Sequence, residues 1–144
     1  MRTVVALLLF ASVAVAAPVP KALKNKPTLD GAWQEERVST GGGAAQPRDL
    51  FWRIEGGKMS TGEKTAEETV GSLGRFTLRQ RDPNDPRLIE MVEVDGRVFS
   101  AVFEPDGDTL RLAWSPTPGG TAVTECKPAA GVYYYEMKRV TDAK

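Results

Sequence analysis

The chain contains no histidine and a single cysteine, Cys126, and these two facts set the limits of its chemistry. Without imidazole, the commonest general base near neutral pH and the commonest zinc ligand are both missing. Acyl transfer would need an activated nucleophile, and only a lysine or a carboxylate is left to activate Ser39, Ser60, Ser72, Ser100 or Ser115. No spacing singles one of these serines out. Paired carboxylates can hydrolyse glycosides, and Glu35, Glu90 and Glu93 are the candidates if they point into one cavity. Asp82, Asn84 and Asp85 offer clustered oxygens to a hard cation such as calcium. Pro83 and Pro86 constrain that loop, however, and no acidic residue follows at an EF-hand-like distance. The expectation is a protein that is not an enzyme, with no catalytic residue, no metal ligand and no cofactor.

The side chains with more to offer are apolar. Trp52, Phe76, Leu78, Leu112 and Trp114 sit at alternating positions of β-rich segments and are the candidates to line an interior pocket that takes a small apolar ligand. Tyr133-Tyr134-Tyr135 puts aromatic area on both faces of the last such segment, so one ring is a candidate contact for a partner. Cys126 cannot form an intrachain disulfide and reads as a small buried hydrophobe.

These residues need strands to position them. Short runs rich in Val, Ile, Phe, Tyr, Trp and Thr recur between clusters of Gly, Pro, Asp and Asn, the pattern of antiparallel strands joined by turns. The clearest are 31–38, 50–55, 74–80, 88–94, 98–104, 109–115 and 132–140, with 57–60 as a short addition. Asp95-Gly96 predicts a two-residue type I′ hairpin, and Asp106-Gly107-Asp108 marks the next reversal. Phe76 and Leu78 alternate with Arg75, Thr77 and Arg79, and Leu110, Leu112 and Trp114 with Thr109, Arg111 and Ala113, so these strands have one wet and one dry face. In 88–94 and 98–103 both faces are apolar, which predicts a bulge or cover from a neighbouring segment. Thr65 with Glu68 fits a capping box, predicting one helical turn over 65–70. Consecutive hairpins make a meander, and the expected fold is all-β: an antiparallel up-and-down barrel of about eight strands. A two-sheet sandwich would give almost the same pattern.

At the N-terminus, Met1-Arg2-Thr3, an apolar run from Val4 to Val15 and Ala14-Val15-Ala16 read as a signal peptide, residues 1–16. The run is about a dozen residues, short of the ~20 that span hydrocarbon. Export to the periplasm or the medium is expected, with no membrane insertion after cleavage. Residues 17–28 are Pro- and Lys-rich and read as a flexible lead-in, leaving one barrel domain over 29–141. Lys plus Arg and Asp plus Glu balance at 19 each, so bulk charge does not draw the protein to nucleic acid.

Gly31-Ala32-Trp33 opening the first strand, with Arg139 at the end of the last, pairs a tryptophan with an arginine across neighbouring barrel strands as a structural cation-π contact. That pairing resembles the lipocalin signature, whose bearers are typically exported barrels for small apolar ligands. More of the chain resembles a narrower group, the lipocalin-like domain family of unknown function found in exported planctomycete proteins. The resemblance rests on Leu29 to Trp33, on Asp82-Pro83 with Pro86 to Glu90, on Gly107 to Trp114, on Gly119-Gly120, on Thr124-Glu125 and on Lys138-Arg139, which span nearly the whole domain in order. Val123 departs from the family's usual proline and Cys126 from its usual aromatic. The resemblance implies the barrel and export, and brings no activity with it. A packed barrel serving as an interaction or envelope module, through the long connections 39–49 and 60–73, is the alternative to a ligand binder.

Overall fold

The computed structural model describes residues 28–64 and 69–141, with the backbone alone for 63, 64 and 69–73. Among the described residues nine strands follow one another: β1 (Gly31–Thr40), β2 (Gly43–Ala45), β3 (Leu50–Glu55), β4 (Lys58–Lys64), β5 (Thr69–Asp82), β6 (Asp85–Glu93), β7 (Val98–Asp106), β8 (Thr109–Trp114) and β9 (Tyr133–Arg139). All pairings are antiparallel, and β9 returns to pair with β1 from Trp33↔Arg139 to Thr40↔Tyr133. Eight strands therefore close into an up-and-down barrel, and the expected fold class is the observed one. Closure leaves no long unpaired edge, which answers the barrel-or-sandwich question.

The ninth strand is the short β2, which lacks β-branched residues and was not legible in the sequence. It lies on the upper half of β1 (Val38↔Ala45), on the side that β3 occupies lower down (Trp33↔Trp52). Residues 46–49 interrupt what is otherwise one wall of the barrel. Opposite this interruption, β1 carries a bulge between Glu35 and Arg37 on its β9 side.

Inward rows follow from the register. Val38, Tyr135, Leu112 and Phe103 face one another across four strands, as do Ile54, Met59 and Phe76 across three. The row Trp33, Trp52, Thr61, Gly74 runs from the two largest side chains to the smallest. A Cβ on Gly74 would stand 2.7 Å from the Phe76 ring, so the glycine makes the space into which that ring folds. These residues form the main core, with Trp33, Met91, Leu110, Leu112 and Met137 wholly buried.

A second apolar cluster lies outside the barrel. Val102, Ala113 and Tyr134 point outward and are covered by residues 115–132, which bring Val123, Cys126 and Val132 down onto them. The two-faced apolar pattern of β7 is thus explained by cover from a neighbouring segment. Cys126 is half-buried there, as a small hydrophobe would be.

Three local expectations are corrected. The β6–β7 connection is not a two-residue type I′ hairpin: among the described residues only glycines take positive φ, so Asp95 stays in the ordinary region and Gly96 alone turns left-handed (φ +89°). Glu93 N donates to Arg97 O and Gly96 N to Glu93 O, giving a three-residue loop, and Asp95 is instead held by Arg97. Of the expected helical turn over 65–70, residues 65–68 lie outside the described residues, and Thr69 and Val70 pair with Lys64 and Glu63 as the start of β5. The short strand expected at 57–60 runs on to Lys64, because β5 is long enough to pair with all of it.

Candidate functional site

The end of the barrel where β1 begins is sealed. Arg139 lies over the Trp33 ring with its Cζ 4.2 Å from the centroid. Trp33 Nε1 donates to Leu29 O (3.0 Å), and Arg139 donates to Asp30 O (2.6 Å) and Thr28 O (3.1 Å), so the incoming chain is clamped across the floor. Gly31 permits this contact. Its φ is +146°, and a Cβ there would collide with Arg139 Nη1. The expected Trp33 and Arg139 pair is therefore in place as a structural closure.

At the opposite end, four rings meet edge to face. Trp114 lies 5.4 Å from Phe99, 5.5 Å from Tyr133 and 6.4 Å from Phe76, and Phe76 lies 6.0 Å from Phe99, with interplanar angles between 63° and 89°. This T-shaped geometry is the one aromatic quadrupoles favour. Phe76, Trp114 and Tyr133 keep part of their surface accessible, whereas Trp33, Met91, Leu110 and Met137 do not. Trp114 Nε1 is buried and, among the described residues, has no acceptor within hydrogen-bond distance, although the Tyr135 hydroxyl lies near enough for the indole to lower its pKa somewhat against the effect of burial. A buried donor left without an acceptor costs about 1–3 kcal/mol.

All five expected lining residues fall in this one interior cluster: Trp52 and Leu112 buried in it, and Phe76, Leu78 and Trp114 packed against it. What sequence reasoning missed is their company. Phe99 and Tyr133 complete the ring group. Below it, Trp52 stacks against Tyr135 at 4.9 Å and donates from Nε1 to Glu35 Oε1 at 2.9 Å. Burial pushes the Tyr135 hydroxyl above its ordinary pKa, so it stays a neutral donor and acceptor.

Glu35 is the carboxylate that turns inward, its side chain wholly inaccessible. Besides Trp52, it accepts from Arg48 N (3.0 Å) and from Arg48 Nη2 (3.5 Å). It thereby fastens the 46–49 interruption to the bulged part of β1. Its oxygens are committed to three donors, as a buried charge requires. Glu90 instead pairs with Arg79 on the outer face (2.6 Å), and Glu93 pairs with Arg97 (2.6 Å). The three candidate carboxylates do not share a cleft.

Among the remaining sequence candidates, Asp82, Asp85, Ser100 and Ser115 have structural employment. Asp82 Oδ1 accepts from Asn84 N at 2.8 Å, and Asp85 is held by Arg87, whose hydrogen bonds lower its carboxyl pKa. Ser100 Oγ accepts from Val123 N (2.8 Å) and from Arg81 Nη1, and Arg81 Nη2 also reaches Val123 O (2.6 Å). Ser115 Oγ accepts from Thr117 N, and Ser39 Oγ is buried without a partner. Ser60 lies on the outer wall, and the side chain of Ser72 lies outside the described residues.

None of the three tyrosine rings of β9 stands free. Tyr133 and Tyr135 turn inward, and Tyr134 is buried outside under 115–132, where burial and the Glu136 carboxylate (2.9 Å) raise its pKa. The expectation of an exposed tyrosine contact is corrected: the loop that covers β7 and β8 covers Tyr134 as well.

The arrangement is that of a closed antiparallel barrel with a plugged floor, a packed waist and an aromatic mouth. Set against known proteins, the chain matches no protein-family model and no curated protein. No helix among the described residues is long and apolar enough to cross a membrane.

Proposed function

We propose that this protein is an exported lipocalin-like binder, which takes a small, mostly apolar molecule at the aromatic mouth of its barrel and holds it without transforming it. The observation that carries the proposal is the ring group of Phe76, Phe99, Trp114 and Tyr133, with part of its surface accessible and, among the described residues, no acceptor within hydrogen-bond distance of the Trp114 indole N–H. Apolar pockets with one or two placed polar groups are the usual form of small-molecule sites. Wholly buried Trp33, Met91 and Leu112 fill the depth of the barrel, so the ligand lies shallow, against the rings. The commitment of Glu35 to Arg48 and Trp52 speaks for a binding role over acid-base catalysis.

The test is native mass spectrometry of the protein recovered after export from its own host, compared with the same sample after acid denaturation. The expected result is a discrete additional mass that unfolding releases and that Trp114→Ala loses while remaining folded. Identical masses in the two states, with no change on adding back an extract of the host's apolar metabolites, would overturn the proposal.

A further inference from the structure

We propose that the outer wall of the barrel carries a second site, separate from the mouth, for a phosphate or carboxylate group. The outward-facing side chains of β3 to β6 line an open cleft of about 770 Å³, which Met59 and Phe76 border from the inner side of the wall. Its central row is Arg53, Ser60 and Arg75, which lie directly opposite one another on three adjacent strands. With neighbouring strands about 4.8 Å apart, the two arginines flank the serine hydroxyl at about 10 Å from each other, a span that an oxyanion and two guanidiniums fill. The next row adds Lys58 and Thr77.

Arg53 is the residue that sets this cleft apart. Arg37, Arg48, Arg79, Arg87, Arg97, Arg111 and Arg139 are all in ion pairs, and Arg81 is hydrogen-bonded to Ser100 and Val123. Arg75 is engaged as well, so it contributes charge more than donors. Among the described residues, Arg53 alone of the arginines is left with its planar fork unassigned, and it is exposed. A guanidinium fork matches an oxyanion in a way that a lysine ammonium does not. The acidic residues of the cleft have cations beside them: Glu93 shares Arg97 with Asp95, and Glu55 lies directly opposite Lys58. Val94, 82% exposed at the rim, gives an attached apolar group something to lie against.

The group could arrive as a free anion or as a lipid headgroup, and two probes separate these. Inorganic phosphate is titrated into the ¹⁵N-labelled protein at low ionic strength, and vesicles of phosphatidic acid or of phosphatidylcholine are sedimented with it. Saturable amide shifts at Arg53, Ser60 and Thr77, weakened at least tenfold in Arg53→Gln, are expected with phosphate. Co-sedimentation with phosphatidic acid alone, also lost in Arg53→Gln, would assign the site to a headgroup. Its absence beside a positive titration would assign it to a free anion. Arg53→Lys keeps the charge without the fork and falls between wild type and Arg53→Gln, and Lys138→Gln, on a different wall, leaves binding unchanged. Shifts spread over all basic positions and equal in wild type and Arg53→Gln would mean an adventitious ion only and would overturn the proposal, as would no response to either probe.

Discussion

Replacing Gly31 by alanine should destabilise the barrel by about 3–6 kcal/mol, and about half of that cost should vanish once Arg139 is also removed. Two effects add. The first is local: φ of +146° belongs to a region comfortable only for glycine, and holding a residue with a Cβ there costs about 1–3 kcal/mol. The second is steric, because the new Cβ would occupy the position of Arg139 Nη1 and expel the guanidinium. Expulsion forfeits the contact with the Trp33 ring, worth about 1–2 kcal/mol for a partly desolvated pair. It also breaks the bonds to Asp30 O and Thr28 O, which water partly replaces, for about another 1 kcal/mol. Arg139→Ala loses these contacts too. In the Arg139→Ala background a methyl group added at position 31 has nothing to displace, and only the backbone part of its cost remains. Urea unfolding followed by tryptophan fluorescence and by circular dichroism reads the four corners of the cycle. With a slope of about 1.5 kcal/mol per molar urea, the single Gly31 variant shifts the midpoint down by about 2–4 M. The coupling between the two changes should be about 2 kcal/mol. Additivity within about 0.5 kcal/mol, the value for independent sites, would refute the claim that Gly31 exists to let Arg139 pass.

Two further outcomes follow from the outer layer. Arg81→Ala removes the bonds to Ser100 and Val123 that pin 115–132, so the Val123 amide should exchange about 10–100 times faster, for about 1–3 kcal/mol of lost local stability. Acceleration of the Leu112 amide by the same factor would show that only global unfolding had been sampled. Burial, reinforced by the Glu104 carboxylate, pushes the Cys126 thiol up from 9.0 to about 12. Its alkylation by iodoacetamide at pH 8 should therefore be slower than that of an exposed thiol by about three orders of magnitude. The same shift fixes a sign: the thiol's contribution to stability is full below pH 9.0 and is lost as the pH rises toward about 12, and Cys126→Ala should remove that part of the alkaline loss. Alkylation at the rate of a free peptide thiol would contradict its place under the loop.

Strands with one wet face were legible residue by residue. Phe76 and Leu78, or Leu110, Leu112 and Trp114, alternate with polar neighbours, and period two alone turns them inward. The Trp33 and Arg139 closure was legible for a different reason: the two residues open and end the meander, and closing the barrel makes them neighbours. Where two layers compete for the same strand, the two-faced apolar pattern announced a bulge or cover over 98–103 but not which segment would supply the cover. Val102 and Ala113 are as buried as Phe103 and Leu112, yet they face the opposite way, because 115–132 supplies a second apolar surface outside the wall. A segment with no regular structure has no periodicity from which to foresee that.

Glu35 shows the same limit at the site itself. It stands with Glu90 and Glu93 among the carboxylates the sequence offers to a cavity, but its partners are not legible there, and the bulge after it is invisible in composition. Its inward turn depends on the break at 46–49, which brings Arg48 N to one oxygen, and on Trp52 Nε1 from the neighbouring strand meeting the other. A carboxylate so held costs less to bury than one left unpaired, and it fixes the Trp52 ring against Tyr135 in turn. The tryptophan at the waist is therefore placed by a polar bond, and Trp114 at the mouth is not. Of the two inward indoles above the floor, Trp52 has its acceptor in Glu35, whereas Trp114 has none within hydrogen-bond distance among the described residues and is held by its edge-to-face ring contacts.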